Sequence, residues 1–443
     1  MPIPDARGCF APPGHRVLIA IGIAILMAVV PAQVQGQNGA YRLASIRFSG
    51  LNKFTEKQAA AGTGLRVGDP ITTADLSVAA DRLAKSGAFD KVAFQYSTLG
   101  NQLTAIFTVV ENRQLLPCLF DNFVWFSDEQ LDKTLRAHVP LFGGITPVSG
   151  GMEQEIIDAL RDLLKANGIA ADVQPIPSPG PSGTGKVMLF RVVGISMPIK
   201  SASFPGASAI SEKELETAAT GAIGQDFSIA NMSDFASATL VPFYHQRGYL
   251  RAAFSRPEWS IIGSPAEGAA PDVALTLRVK EGSQYFWDKA EWSGNHQMTN
   301  EQMEQALGMK QGEVANEQKI EDGFKAIRDG YGKIGYIDAR VQPRVSLDDS
   351  KSLAAYAVNI DEGVQYHMGR VIFLGVPEKA AADLASKWQL KAGAVYDGSY
   401  AEEFVDKVAL RRLSEMGIKK TKATFSFRRD RQNATVDVNV VFP

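Results

Sequence analysis

The chain has 443 residues with 46 Lys+Arg against 48 Asp+Glu, a formal net charge of −2. That balance leaves no electrostatic footprint for a polyanion, so nucleic acid is not an expected partner. The 40 Gly and 22 Pro punctuate periodic segments rather than filling long tracts, which excludes general disorder.

Residues 1–36 read as a secretory signal peptide. Arg7 and Arg16 supply positive charge, and Val17 to Val30 is an apolar run in the range of a signal core and short for a membrane span. Val34-Gln35-Gly36 offers small residues for cleavage. The alternative is a retained N-terminal anchor. Of the two cysteines, Cys9 precedes the apolar run, which leaves Cys118 alone in the mature chain, either a small buried hydrophobe or a reactive or intermolecular thiol.

The first unit, 37–114, opens on an alternating strand with Ile46 and Phe48, closed by Gly50. Thr55 and Gln58 predict a capping box for one helix, and Thr72 or Thr73 caps a second that turns Leu76, Ala80 and Leu83 inward. Gly87 stops it, Val92 and Phe94 begin a strand, and Leu103 to Val109 returns after the turn at Gly100-Asn101. The order is β-α-α-β-β.

The second unit, 115–197, is the most degenerate. Phe123 to Phe126 is assigned as its first strand, Ile156, Leu160 and Leu163 as the second helix face, Gly168 as the stop, Pro175 to Gly185 as a loop and Val187 to Ile195 as the last strand. The third, 198–283, repeats the plan, with Pro242 expected to kink or shorten its second helix. In the fourth, 284–364, Ile320, Phe324, Ile327, Tyr331 and Ile334 recur at helical spacing and run into Gly335, where a C-cap needs left-handed backbone. The fifth, 365–443, carries Val371 and Phe373, Gly375, Gly393, Gly417, and the alternating Phe425, Phe427, Val436, Val438 and Val440. The helix-stop glycines at 87, 168, 248, 335 and 417 stand 80 to 87 residues apart, a spacing suited to small domains and too long for a solenoid. Val279 to Tyr285 and Ile360 to Tyr366 are nearly identical junctions, too short for free swinging. The expected fold class is α+β: a tandem array of five small β-α-α-β-β domains, each a three-stranded mixed sheet with two helices on one face.

Few residues suggest chemistry. Gly180 to Lys186 approaches a phosphate-binding loop, but Val187 replaces the Ser/Thr and the context is a hairpin, so no nucleotide is expected. His138, His245, His296 and His367 are scattered without metal spacing. Asp348-Asp349 and Asp361-Glu362 read as surface charge. No catalytic residue, metal site or cofactor is expected. The layout instead implies open sheet edges, where an extended partner adds a strand through main-chain hydrogen bonds.

The helix-Gly-aromatic steps (Gly248-Tyr249, Gly335-Tyr336), the strand-Gly elements (Phe48-Ser49-Gly50, Trp292-Ser293-Gly294, Phe373-Leu374-Gly375) and the Glu-Gly-x-x-Tyr junctions resemble POTRA domains, the polypeptide-transport-associated modules of BamA-type outer-membrane assembly proteins. The resemblance covers nearly all residues after the signal. It implies a periplasmic, non-enzymatic scaffold or chaperone-like binding protein, possible outer-membrane surface association, and as partners unfolded outer-membrane proteins or a barrel-bearing BamA-type protein. It also implies docking on the strand after the Gly-aromatic step: Val92 to Tyr96, Leu250 to Ser255 and Ile337 to Val341, with Val92, Phe94, Leu250, Arg251, Ala253, Ile337 and Ala339 as interaction residues. Arg251, Arg256 and Arg340 are the alternative, as charges protecting these edges. No run of barrel strands is expected within these residues. The alternative function is an inner-membrane-anchored scaffold of secretion or cell division.

Overall fold

The computed structural model describes residues 40–180, 185–263 and 270–443. The assigned signal peptide, and Pro181 to Thr184 of the glycine-rich loop, lie outside the described residues. Among the described residues the strands form two four-stranded sheets, three three-stranded sheets and one two-stranded pairing.

The first sheet contains β1 (Tyr41–Ser49), β2 (Pro70–Ile71), β3 (Phe89–Leu99) and β4 (Gln102–Glu111) in the order β2-β1-β4-β3, with β1 parallel and β3 antiparallel to β4. Two helices, α1 (Glu56–Thr63) and α2 (Thr73–Lys85), lie between β1 and β3 in the chain. Both open on reciprocal capping boxes, Thr55 with Gln58 and Thr72 with Asp75. Such a box satisfies two of the donors a helix start leaves unpaired. Leu76 and Leu83 are fully buried beneath the sheet with Leu103, Ala105 and Phe107.

The second sheet is built from β5 (Leu115–Phe120), β6 (Ile145–Pro147), β7 (Asp172–Pro179) and β8 (Lys186–Val193), ordered β6-β5-β8-β7, with α3 (Asp128–His138) and α4 (Gly151–Ala166). Two assignments made from the sequence are corrected here. The first strand is β5, and Phe123 to Phe126 is a turn whose Phe123 and Val124 are buried. The turn is fixed by Asn122, whose amide brackets Val192 through both its N–H and its C=O. Pro175 to Pro179 belongs to strand β7, paired antiparallel with β8. Prolines are tolerated there because β7 is an outer strand with one side unpaired.

The third sheet, ordered β11-β12-β9, contains β9 (Ile199–Ser203), β11 (Glu258–Ile261) and β12 (Val273–Thr276), and the short pair β10 (Ala253–Phe254) with β13 (Val279–Lys280) continues it. After α5 (Glu212–Ala218), the second helix runs as α6 (Ile229–Phe235), a π turn over Ala236–Leu240, and α7 (Val241–His245). Pro242 lies in the first turn of α7, where its missing N–H costs little, and the π turn absorbs the disruption expected of it. The expected strand Leu250 to Ser255 is also corrected. Leu250 and Arg251 are in a turn, and the longer edge segment is β11.

The fourth sheet, β14-β16-β15, contains β14 (Phe286–Ser293), β15 (Arg340–Asp348) and β16 (Leu353–Asp361), backed by α8 (Asn300–Leu307) and α9 (Glu317–Lys333). Ile320, Phe324, Ile327 and Tyr331 of α9 are buried, whereas Ile334 follows the last helical residue and is exposed. The fifth, β17-β19-β18, contains β17 (His367–Leu374), β18 (Thr424–Asp430) and β19 (Thr435–Val441), with α10 (Glu378–Lys387), α11 (Tyr400–Phe404), a π turn over Val405–Ala409, and α12 (Leu410–Glu415). The α+β layout holds throughout. The first two sheets have four strands rather than three, because the break between the helices adds β2 and β6.

The glycine closing the first strand has one physical role in four sheets. A Cβ on Gly50, Gly206, Gly294 or Gly375 would run into the carbonyl oxygen of Val109, Val279, Ile360 or Phe442 on the neighbouring strand. Only glycine permits that approach.

Candidate protein-interaction edges and junctions

Three carboxylates hold the loops that follow those glycines. Glu111 accepts from the N–H groups of Asn52, Lys53 and Phe54. Glu281 accepts from Ser208 and Ala209, and Glu362 from His296 and Gln297. Two of the three also take a buried hydroxyl from the second helix: Tyr244 donates to Glu281 and Tyr331 to Glu362, each at 2.9 Å. Burial works to raise the Glu281 and Glu362 carboxyls, and these donors outweigh it, so both titrate below the ordinary glutamate range. Burial first, then the facing carboxylate, raises both tyrosines. The Glu-Gly-x-x-Tyr motif is therefore a loop clasp.

The same motif docks successive segments. Tyr285 N–H donates to Gly248 O and Gln284 Nε2 to Arg247 O; Tyr366 N–H donates to Gly335 O and Gln365 Nε2 to Ile334 O. A Cβ on Gly248 would meet Tyr285 O at 2.8 Å and Val314 at 2.9 Å; on Gly335 it would meet Tyr366 O at 2.9 Å and Val395 at 3.0 Å. Both glycines have left-handed φ, +84° and +92°. Beside each backbone joint lies an ionic cluster on the tyrosine hydroxyl. Arg251 donates to Tyr285 Oη at 2.8 Å and pairs with Asp349 at 3.1 Å, while Tyr285 donates to Asp349. In the next junction Tyr366 donates to Asp338 at 2.9 Å, and Asp338 pairs with Arg429 at 2.7 Å and Arg431 at 3.4 Å.

The link between the second and third segments uses different residues. Asp121, fully buried, accepts from Arg191 Nε at 2.7 Å, Ser228 Oγ at 3.0 Å and Ala230 N–H at 2.9 Å. Trp259 of β11 donates its indole N–H to Val124 O. Sequence reasoning missed Asp121, and its one signal was an adjacent polar pair, Asp121-Asn122, set between the apolar Leu119-Phe120 and Phe123-Val124.

The edges differ sharply. β3 pairs on one side only and runs eleven residues without proline. Val92 and Phe94 lie on it, half-buried, with Phe94 against Phe107 at 6.1 Å between ring centroids. Tyr96 and Leu99 continue it, 47% and 83% exposed. β7 carries Pro175, Pro177 and Pro179, which strip every second N–H from that stretch. β15 is interrupted by Pro343. β18 has no proline, and Phe425 and Phe427 stack along it at 6.2 Å. Of the remaining residues inferred from the resemblance, Ala253 is paired with Lys280 in β10. Leu250, Arg251, Ile337 and Ala339 all precede the strands, in the turns that form the junctions. The opposite edge is partly covered in every sheet: β2 lies on β1 and β6 on β5, and single bridges join Pro198 to Asp226, Phe286 to Val314 and His367 to Val395.

Among the described residues there is no group of three or more His, Cys, Asp or Glu placed to hold a metal ion, and no helix long and apolar enough to cross a membrane. Cys118, half-buried in β5, has its thiol pushed up to about 12 by burial.

Residues 285–363 match the POTRA family, described as a surface antigen variable number repeat. A putative outer membrane protein assembly factor of Treponema pallidum is 24% identical over 162 residues, which cover 37% of this chain and 19% of that protein. The chain thus spans about a fifth of the length of that relative. Among solved structures, BamA POTRA3-5 of Haemophilus influenzae is similar at 21% identity and a TM-score of 0.43, covering 56% of this chain and 97% of that one. The N-terminal domain of Omp85 from Thermosynechococcus elongatus is similar at 16% identity and a TM-score of 0.20, covering 55% and 95%.

Proposed function

We propose that this chain, an array of POTRA-type units resembling the periplasmic part of BamA-type outer-membrane assembly proteins, is a periplasmic scaffold that holds extended outer-membrane protein segments, or a barrel-bearing partner, by adding them to its open sheet edges. The division at 37–114, 115–197, 198–283, 284–364 and 365–443 is part of this reading, with each unit contributing one sheet. The role is non-enzymatic. Unpaired backbone groups on an edge strand recognise any extended chain while asking little of its sequence, which suits a handler of many clients.

The observation that carries the reading is the β3 edge: eleven residues, one side unpaired, no proline, and exposed Tyr96 and Leu99. Leu250 to Ser255, which looked equivalent in the sequence, offers only the paired Ala253-Phe254 step, so the proposed docking strand moves to β3.

The test uses proline scanning. In an antiparallel edge, N–H groups alternate between the ladder and solvent. Of Gln95→Pro and Tyr96→Pro, one therefore removes a ladder bond and the other an outward donor. The variant that keeps the wild-type circular dichroism spectrum and melting curve is expected to lose capture of a labelled barrel-strand peptide by about fivefold or more, the equivalent of one lost hydrogen bond. Wild-type capture by that variant, with no added amide protection on β3 in the wild-type complex, would place docking elsewhere.

A further inference from the structure

The outer strand of the first sheet is complementary to itself. Among the described residues β3 pairs with β4 alone. Val92, Phe94 and Tyr96 stand opposite the buried Val109, Phe107 and Ala105, so these three share the helix side of the sheet. Lys91, Ala93, Gln95 and Ser97 share the helix-free side.

A second β3 laid antiparallel along this edge is related to the first by a twofold axis perpendicular to the sheet, which keeps both faces in place. With the axis at Phe94, the midpoint of the strand, each residue meets the one equally far on the other side. Phe94 then meets Phe94, and Val92 meets Tyr96 twice, pairs of the kind that stabilise a sheet. On the other face Lys91 meets Ser97 and Ala93 meets Gln95, each twice, so no like charges oppose. The bulge of β3 lies between Phe89 and Lys91, outside this span.

The other outer strands lack this property. Prolines interrupt β7 and β15. Self-pairing of β18 would gather Arg428 and Arg429 of both copies into seven residues. β11 has only four residues, and its Trp259 is engaged with Val124 of the second segment.

We propose that β3 is the contact through which two copies of this chain form a twofold dimer, their first sheets joined edge to edge, and that an extended client displaces the second copy. The proposal rests on the reading of β3 as a docking strand and adds a competitor for it.

Sedimentation velocity of the full chain, from about 1 to 200 μM, is expected to show a monomer–dimer equilibrium. Ser97→Lys sets a cation opposite Lys91 of the other copy, twice per dimer, and is expected to weaken the dimer about fivefold. Ser97→Glu is expected to tighten it at low salt and to lose the gain in molar salt. Ser97 is exposed, so neither change disturbs the core. Ser426→Lys, the same change on β18, is expected to leave the dimer unaltered. An uncharged barrel-strand peptide is expected to convert dimer to monomer as it binds. A chain that stays monomeric at about 200 μM yet captures the peptide overturns the dimer and leaves the scaffold reading standing. A dimer with the expected charge dependence that captures no peptide upholds the contact and overturns the scaffold reading instead. A dimer indifferent to the sign of charge at Ser97, weakened equally by Ser426→Lys, or retained in full with peptide bound overturns the proposal.

Discussion

Arg251 and Asp338 occupy the same position, three residues beyond the left-handed glycines Gly248 and Gly335, and they carry opposite charge. Each meets the hydroxyl of the tyrosine that opens the following segment, and each finds its counter-ion on that segment's last hairpin, Asp349 in one case and Arg429 with Arg431 in the other. The two junctions share a backbone and differ in polarity. A segment placed after the wrong partner would set like charges together, so polarity specifies order as well as orientation.

The two clusters are unequal in strength. Arg251 and Asp349 are more than half exposed, a setting in which ion pairs contribute about 0–1 kcal/mol. Asp338 is 18% exposed and accepts from the buried Tyr366 as well as two arginines. Asp338→Ala is expected to cost about 1–3 kcal/mol by leaving a buried hydroxyl and two cations without their acceptor. Asp349→Ala is expected to cost under about 1 kcal/mol and to lose even that in molar salt. Denaturant unfolding of the two variants at low and high salt checks this; equal costs would show that burial does not decide the difference.

Much of this was legible in the residues. A helix of period 3.6 ending at Gly335 fixed the need for positive φ, because no side chain with a Cβ sits there without strain. The capping box of Thr55 with Gln58 follows from a reciprocal pairing that spans only three residues. The misses share one cause. β7 reads as a loop because proline argues against a strand, and only the sheet order reveals it as an edge. Leu250 and Ile337 read as strand because apolar residues after a glycine look alike whether they enter a sheet or pack a junction. Asp121 gave almost no signal, since its three partners come from residues 70 to 109 positions away.

Left-handed glycines should separate into two cost classes. Gly335→Val places a β-branched side chain at φ +92° and against Tyr366 O and Val395. Backbone strain and overpacking together predict a loss of several kcal/mol, about 2–5. Gly393→Ala, at φ +82° with nothing within 4 Å, bears backbone strain alone and is expected to cost about 1 kcal/mol. Melting curves of the two variants decide; a Gly335→Val chain as stable as Gly393→Ala would show that the junction yields without resistance.

Acid should loosen the loop clasps. Glu281 and Glu362 are held below the ordinary glutamate value in the folded chain, so the folded state binds their protons less readily than the unfolded state does. Their contribution is therefore fully present above the ordinary value near 4.5 and is lost as pH falls through the lowered folded value. Glu362→Gln is expected to lower stability at neutral pH and to flatten its decline below about pH 4.5, the unperturbed carboxyl range. Urea midpoints from pH 3 to 7 test it, and parallel curves for the two proteins would assign the acid loss to other carboxylates.

Cys118 tests the packing of the second sheet. With its thiol raised to about 12 by burial, almost no thiolate exists at pH 7 in the native chain. Labelling by a thiol reagent is expected to be slow in buffer and complete in denaturant. Rapid native labelling would mean that β5 opens readily.

The last expectation concerns why edges that look alike in the fold behave differently. β15 is nine residues long and pairs only with β16, yet Pro343 stands at its centre opposite Val358. Proline there leaves a gap in the row of donors that an added strand needs. Val345, 52% exposed, lies two residues beyond it on the same face. Pro343→Val restores an N–H and a β-branched side chain within an existing strand, so the fourth sheet should remain stable to within about 1 kcal/mol. What should change is the edge. The variant is expected to bind a labelled barrel-strand peptide several-fold more tightly than wild type and to self-associate at high concentration, detected by light scattering. The β3 variant that cripples capture in the parent should then cost less, because a second edge has opened. If Pro343→Val neither gains capture nor associates, an open row of donors does not set where extended chains dock, and the apolar rows at Tyr96 and Phe427 become the deciding feature.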